Sequence, residues 1–386
     1  MFKKKIGGII IILFLFFVSA VTVINKERDE LKGFLLNNSM DFQQIQKAMM
    51  CYPPDFRFGK ERSKIFQSMD ALISFSVKHD NYRDTDNDRI RMEQIAGFYK
   101  NQIDKALDNL EKTEVNKGEI YVLKLYSSSI ILKSSQGTVA IDFCQGPVGN
   151  LGEPEQNDFY NSGFYMTPEQ RSKLAQLVDI QIITHQHHDH ADFSLASRLR
   201  KMNKIVIATE QNKKYWENEI NGIIVPDYDK IQDFGVVQIL AQKGCQYENT
   251  KMQDGLLVGF PSGKPANDVE SARYLIKIDE IIFLQSAESY TEAYVWLKKA
   301  QAIGWDVDVV LSRGLGQGER SVIEFLVENN ETYFEIPIHE YELMHENGGN
   351  RTAQWLKDEN LNMFEKKKIM PLLWGENFCL NKKLFK

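Results

Sequence analysis

Apolar and polar positions divide the chain into three stretches, and the first is a continuous apolar run. The segment "IGGIIIILFLFFVSAVTVI" (residues 6–24) contains nineteen uncharged residues and follows the basic sequence "MFKKK". This length is close to the roughly 20 residues that an α-helix needs to cross a bilayer. Residues 1–25 are therefore predicted to be a signal anchor that leaves everything after Lys26 on the extracytoplasmic side. A cleavable signal peptide that ends at Ala20 is the alternative.

The second stretch, residues 26–115, is polar and has helical periodicity. In "RIRMEQIAGFYKNQIDKALDNLEK" the apolar residues recur every three or four positions and form one face of a helix. This pattern predicts a helical N-terminal region, which could act as a lid, a dimerisation arm or a spacer from the membrane.

From about residue 116 the period changes to that of β-strands. The runs "EIYVLKLY", "SSIILKSS" and "TVAIDF" are rich in β-branched residues and are separated by turns. Further on, "TPEQ" carries the signature of a helix start with a capping box, and "LVDIQIIT" is typical of a buried strand. Next come a polar loop, the helical "DFSLASRLRKM" and the strand-like "KIVIAT". This order indicates an α/β domain with the polar loop at the rim of a sheet.

Composition narrows the classes of function. The chain is 43% hydrophobic with a net charge of −6, which is typical of a folded protein and disfavours a nucleic-acid partner. The four cysteines lie far apart and form no C-x-x-C motif, so no cysteine zinc site is predicted and free thiols are expected.

The polar loop "IITHQHHDHAD" holds four of the chain's seven histidines. His185, His187 and Asp189 alternate along the chain, and His190 follows directly, so a turn can direct their side chains into one concave space. His188 breaks the alternation and is expected to point away. Neutral imidazole and carboxylate are ligands that a divalent ion such as zinc accepts. The loop therefore predicts a metal site.

The motif "THQHHDH" resembles the H-x-H-x-D-H signature of the metallo-β-lactamase superfamily, and the resemblance extends over residues 116–386. Asp142 resembles the characteristic acid that ends the opening strand pair. The segments "RYLIKIDEIIFLQSAES", "DVVLSRG" and "FEIPIHEYE" resemble later core elements, and "IMPLLWGENFCL" resembles the C-terminal strands of the lactonase-like branch. The resemblance implies an αββα sandwich of two mixed β-sheets in residues 116–386, with helices outside and a metal site at one edge.

The resemblance also implies a complete ligand set for one metal ion. In the family that ion is held by the aspartate and last histidine of the motif and by a C-terminal histidine. The matching residues here are Asp189, His190 and His339.

The other half of the family's metal site is altered. His185 and His187 match two of its ligands, but Lys243 stands where a third histidine is expected. Ala287 stands where the family usually has the carboxylate that bridges the two ions, and the adjacent Glu288 is a candidate substitute, although a shift of one residue redirects a side chain. Lys243 and Glu288 are thus accessory candidates, and the cofactor is expected to be one or two divalent ions, with zinc foremost.

These features predict a membrane-anchored or secreted hydrolase of a small ester, lactone, amide or phosphoester. A metal-activated water would be the nucleophile, and Asp189 would serve as a ligand or as the base that orients this water. The small-molecule substrate and the membrane, through residues 6–24, are the expected partners. The alternative is a non-catalytic binding or scaffold protein on a degenerate fold of the same kind.

Overall fold

The secondary structure follows the apolar patterning of the chain. The computed structural model describes residues 40–78, 86–146, 165–187, 189–247, 250–253, 256–259, 268–287, 289, 291–312, 320–328, 333–339 and 369–385. The helices found there are α1 (Phe42–Cys51), α2 (Gly59–Lys78), α3 (Asp86–Lys112), α4 (Pro168–Leu177), α5 (Phe193–Lys201), α6 (Glu210–Tyr215), α7 (Tyr294–Ala302) and α8 (Arg320–Glu328).

Fourteen strands are found in the same residues. They are β1 (Glu119–Lys124), β2 (Ile130–Lys133), β3 (Thr138–Ile141), β4 (Ile180–Ile182), β5 (Ile205–Ile207), β6 (Ile231–Asp233), β7 (Gln238–Tyr247), β8 (Thr250–Gln253), β9 (Leu256–Gly259), β10 (Asp268–Ile278), β11 (Ile281–Gln285), β12 (Val309–Ser312), β13 (Phe334–Pro337) and β14 (Asn377–Asn381).

The first sheet has the order β14-β1-β2-β3-β4-β5. Strands β14, β1, β2 and β3 pair antiparallel, whereas β3, β4 and β5 run parallel to one another. Every residue of β3 and β4 is buried, so both faces of these strands are covered. A parallel pair needs a crossover, and α5 makes that connection from β4 to β5.

The second sheet has the order β13-β12-β11-β10-β7-β6 and is also mixed. Strands β6, β7, β10 and β11 pair antiparallel, and β11, β12 and β13 are parallel. Strands β8 and β9 form a separate antiparallel pair.

The two sheets face each other across one apolar core. Ile131 on β2 and Ile276 on β10 belong to the same buried cluster. Because successive side chains of a strand point to opposite faces, the neighbouring Leu275 belongs to a second cluster with Leu297 of α7 and Phe325 of α8. This arrangement of sheet against sheet with helices outside is the α/β sandwich that the resemblance implied.

Helices α1, α2 and α3 pack against the first sheet and share its core. Ile103 and Leu107 of α3 lie in the same buried cluster as Ile131. A buried ion pair adds a polar link, since Arg62 of α2 bonds both carboxylate oxygens of Glu376 at 2.8 and 2.6 Å. The predicted boundary at residue 115 lies in the connection between α3 and β1. It stays a prediction, because the helices and the sheet have a common core.

The predicted start of α4 is confirmed in detail. Thr167 accepts a hydrogen bond from the backbone N–H of Gln170, whose side chain accepts one from the N–H of Thr167. Pro168 occupies the first turn, where its missing N–H costs nothing.

No helix among the described residues is long and apolar enough to cross a membrane. The apolar segment 6–24 lies outside those residues.

Candidate metal centre

The histidine loop leaves the first sheet at the end of β4 and reaches across to the second sheet. The carbonyl of Thr184 accepts a hydrogen bond of 2.8 Å from the N–H of Ala272 on β10. His185 then forms an isolated antiparallel bridge with Ser271. The buried hydroxyl of Tyr274 donates to the carbonyl of Ile183 at 3.2 Å. The loop is therefore held by both sheets at the edge of the sandwich.

Asp189, His190 and His339 come together at this edge, as their assignment to one metal ion requires. One potential ligand atom from each residue lies within 4.8 Å of the other two, and among the described residues this is the group that could hold an ion. The carboxylate oxygen Oδ2 of Asp189 lies 3.5 Å from Nε2 of His190 and 3.6 Å from Nδ1 of His339. Both imidazoles are buried, so they are protected from competing water.

The buried carboxylate of Asp142 orients His190. Its Oδ2 lies 3.0 Å from Nδ1 of His190 and accepts a 2.8 Å hydrogen bond from Nε2 of Gln285. Its Oδ1 accepts a 2.8 Å hydrogen bond from the N–H of Thr184. A proton held at Nδ1 by this carboxylate leaves the Nε2 lone pair of His190 on the side of Asp189, as in many carboxylate–histidine–metal arrangements.

His185 and His187 also lie side by side. Nε2 of His185 is 3.1 Å from Nδ1 of His187, and Nδ1 of His185 is 2.9 Å from the hydroxyl of Thr184. The ring of His185 packs against that of His190 with centroids 3.9 Å apart. The structure thus brings these two histidines next to the group of three residues but does not include them in it.

The accessory candidates have different surroundings. Lys243 lies on β7 with 62% of its side chain exposed, and its ammonium is 3.0 Å from Oε1 of Glu270 and above the ring of Tyr228. Ala287 is buried and has a positive φ of 60°, which few non-glycine residues adopt. Glu288 and His188 lie outside the described residues.

Sequence reasoning missed the serine turn, Ser127 to Ser129, which lies in the connection from β1 to β2 and contacts residues of the centre. Its serines are all buried, and the hydroxyl of Ser128 lies within hydrogen-bonding distance of two backbone carbonyls of the site, those of Asp142 and Asp189. The only signal in the sequence was a run of three serines between two apolar strands. Such a run is equally typical of a solvated hairpin turn.

Burial raises the pKa of one further acid, Asp192, at the end of the histidine loop. Asp192 begins α5 by accepting a hydrogen bond of 2.8 Å from the N–H of Leu195. Desolvation raises the pKa of Asp192 to about 6, and the hydrogen bond from Leu195 opposes that rise.

The donor set of Asp189, His190 and His339 suits a divalent transition metal. Two imidazole nitrogens and one carboxylate oxygen are a common catalytic zinc set, which keeps a position open for water or substrate. The Asp142 carboxylate supplies the outer support that such histidines usually have. The residues therefore fit a divalent ion, although this donor set alone does not select zinc over other divalent metals.

No protein-family model and no curated protein matches the sequence. Among solved structures, the fold is similar to the isothiocyanate hydrolase from Delia radicum gut bacteria, with 15% identity and a TM-score of 0.47. That match covers 68% of this chain and 99% of that one. It is also similar to a possible metal-dependent hydrolase from Veillonella parvula, with 15% identity, a TM-score of 0.46 and coverage of 69% and 100%.

A third similar structure comes from Thermotoga maritima and is described as a member of the metallo-beta-lactamase superfamily. Its identity is 12% and its TM-score 0.29, over 62% of this chain and 86% of that one. One structural neighbour of the chain is thus described as a putative hydrolase of the superfamily that the histidine motif resembles. By its own topology the chain has the αββα fold that this resemblance implies, with Asp189, His190 and His339 gathered at one edge of the two sheets.

Proposed function

We infer that the chain is a metal-dependent hydrolase that acts at the edge of its sheet sandwich. The observation that carries this inference is the convergence of Asp189, His190 and His339, with one ligand atom of each within 4.8 Å of the others. The orientation of His190 by the Asp142 carboxylate supports it, because an arrangement that is only structural would not need to direct Nε2 toward Asp189.

Zinc is the proposed ion, held by Asp189, His190 and His339. A bound divalent ion lowers the pKa of a water molecule to about 7 and polarises a carbonyl or phosphoryl oxygen. Asp189 serves as a ligand or as the base that orients the attacking water. Its Oδ2 atom lies within 3.6 Å of a ring nitrogen of each imidazole, so the carboxylate lies beside any ion that these histidines would hold.

The proposed substrate is a small ester, lactone, amide or phosphoester. All four classes carry an electrophilic centre with an oxygen that a divalent ion can polarise. His185 and His187 lie beside the group of three residues and are placed to contact the substrate or a second ion. The acidic balance of the chain argues against nucleic acid as the substrate.

The proposed location is outside the cytoplasm, with the chain secreted or anchored to the membrane. The basic residues before the apolar segment 6–24 support this orientation. The membrane, through this segment, and a small-molecule substrate are the proposed partners.

Metal analysis and hydrolysis assays on the purified full chain test the function together. We expect at least one tightly held divalent ion and turnover of at least one member of a panel of chromogenic esters, lactones, amides and phosphoesters. His190→Ala should lose both the ion and the turnover. His345→Ala is the matched control, since this histidine belongs to no ligand set of the family, and it should lose neither.

A non-catalytic binding or scaffold protein is the second candidate. Ala287 and Lys243 support it, because each lacks a ligand atom of the kind that the family uses at that position. Full chain that retains no ion after dialysis against zinc, and turns over no member of the panel, would favour this candidate and overturn the hydrolase.

A further inference from the structure

The serine turn contacts all three proposed ligands or their immediate supports. The carbonyl of Ser127 accepts a 3.2 Å hydrogen bond from the N–H of His339, and its hydroxyl is 3.5 Å from Nδ1 of the same residue. The hydroxyl of Ser128 reaches the carbonyl of Asp189 and lies 3.1 Å from that of Asp142. These contacts join positions that are far apart in the sequence.

Each serine hydroxyl has one proton, and this determines which backbone carbonyl Ser128 and Ser129 each donate to. A serine hydroxyl donates one hydrogen bond, so Ser128 cannot serve both carbonyls fully. The closer partner of Ser128 is Asp189, whereas Ser129 lies 3.3 Å from the carbonyl of Asp142 and 3.2 Å from that of Cys144. Ser129 also accepts a 2.7 Å hydrogen bond from the N–H of Cys144. Ser129 therefore serves the end of β3, and Ser128 is available to Asp189.

The hydrogen bond from Ser128 acts on the peptide unit between Asp189 and His190. Its carbonyl accepts the hydrogen bond from Ser128, and its N–H donates a 2.9 Å hydrogen bond to the carbonyl of His187. Because a peptide unit is planar, holding both of its polar groups fixes the positions of the Cα atoms on either side. Those two Cα atoms carry two adjacent proposed ligands.

The turn is itself held in an unusual backbone conformation. Ser127 has a φ of 47° and His339 a φ of 61°, both in the left-handed region that non-glycine residues seldom adopt. Tyr126 stacks on Trp374 with ring centroids 5.9 Å apart, and Tyr99 of α3 packs edge-on against both rings. Packing from the N-terminal helical region thus supports Tyr126, the residue that precedes the serine turn.

We propose that Ser128 is a positioning residue for the metal centre, which holds the peptide unit between Asp189 and His190 so that both side chains reach one ion. This role rests on the proposed metal-dependent function. Ser128 touches neither ion nor substrate and acts through the backbone alone. Loss of its hydroxyl leaves the Asp189 carbonyl without this donor and frees the peptide unit to rotate.

The test is the metal affinity of the full chain, measured by competition with a chromogenic chelator. Ser128→Ala should weaken zinc binding by about 10- to 100-fold, the range found when an outer support of a metal ligand is removed. The visible spectrum of the cobalt-loaded chain should change at the same time, because it reports ligand geometry. Ser128→Thr keeps the hydroxyl and should restore most of the affinity.

Two serine variants separate positioning from stability. Ser134 is also buried, but its hydroxyl lies in the turn between β2 and β3, where it accepts from the N–H of Gln136. Ser134→Ala should therefore leave zinc affinity unchanged. Ser129→Ala removes the acceptor of the Cys144 N–H and is the reference for lost stability, since it should lower the unfolding midpoint.

The outcomes distinguish this inference from the proposed function. A wild-type chain that binds no divalent ion overturns the function and the inference together. A wild-type chain that binds zinc, with a Ser128→Ala variant of equal affinity and an unchanged cobalt spectrum, overturns the positioning role alone. If Ser128→Ala does not fold, Ser128→Cys replaces it, because a thiol is a weaker hydrogen-bond donor than a hydroxyl. A Ser128→Cys variant that binds zinc as tightly as the wild type would contradict the proposal.

Discussion

The buried carboxylate of Asp142 is contacted by three hydrogen-bond donors from two segments. They come from Thr184, His190 and Gln285, on the histidine loop and the end of β11. Asp142→Asn places an amide N–H₂ where one of these donors now points, so one contact becomes a clash of donors. We expect zinc affinity to fall about 10- to 100-fold, measured by chelator competition.

Asp179→Asn is the matched control for Asp142→Asn. Asp179 also accepts a backbone hydrogen bond, from the N–H of Thr138 at 2.9 Å, but it belongs to the turn before β4. Its variant should bind zinc like the wild type. Equal zinc affinity in both variants and the wild type would contradict the orienting role of Asp142.

The residues at positions 243 and 287 predict how many divalent ions the chain binds. Lys243 offers an ammonium that Glu270 already neutralises, and Ala287 offers no ligand atom. We therefore expect one divalent ion per wild-type chain and two in the double variant Lys243→His with Ala287→Asp, measured by elemental analysis. Each single variant should bind one ion. Two ions in the wild type would overturn this account and favour Glu288 as the bridging carboxylate.

Strands and helices of the sandwich were predictable because their signals are local. The β-branched runs that predicted the opening strands became β1, β2 and β3, and the "TPEQ" signature became the capped start of α4. The approach of Asp189, His190 and His339 was predictable only from the resemblance, because His339 follows β13 in the other sheet. Neither the hydrophobic periodicity nor the spacing of residues along the chain indicates how close His339 lies to Asp189 and His190.

Contacts of the turns could not be predicted in this way. Ser128 and Asp189 are separated by 61 positions, and a hydroxyl that donates to a backbone carbonyl needs no particular residue type there. Lys243 and Glu270 are another case. Their pairing follows from the register of β7 with β10, which the apolar pattern of neither strand specifies alone.

Asp308 makes the connection before β12 sensitive to pH. It accepts a 2.9 Å hydrogen bond from the N–H of Ile282, and burial raises its pKa above 3.8. A raised folded-state pKa means that the stability from Asp308 is present at low pH and is lost as pH rises through that pKa. Asp308→Asn removes this loss. Its free energy of unfolding relative to wild type should therefore increase as pH rises above about 3.8.

Asp233 at the end of β6 should show the opposite pH dependence. Hydrogen bonds from Gln238 and from the N–H of Gly235 lower its pKa below 3.8. The wild type therefore gains stability from Asp233 as pH rises, and Asp233→Asn should become relatively less stable. Urea titrations of metal-free chains across the acidic range measure both differences. Slopes of the same sign for the two variants would contradict the assignment.

The helical region and the sandwich should unfold together because a buried ion pair and a common core join them. Arg62 and Glu376 are both buried, so removing one leaves the other charge without compensation. Arg62→Ala should lower the free energy of unfolding by about 3–5 kcal/mol. Arg57→Ala, which breaks the exposed pair with Asp55, should lower it far less, because solvent screens that pair. Equal losses in urea titrations would contradict the structural role of the buried pair.

The fate of the apolar segment decides whether the chain stays at the membrane. An uncleaved segment 6–24 is long enough to hold the chain in the bilayer, with the three lysines of "MFKKK" on the cytoplasmic side. The full chain should then sediment with membranes, resist extraction by carbonate and begin at Met1. A variant that lacks residues 1–25 is the control and should stay in the cytoplasm. N-terminal sequencing that finds Val21 as the first residue would contradict the anchor. It would show instead that the segment is a signal peptide and that the mature chain is released.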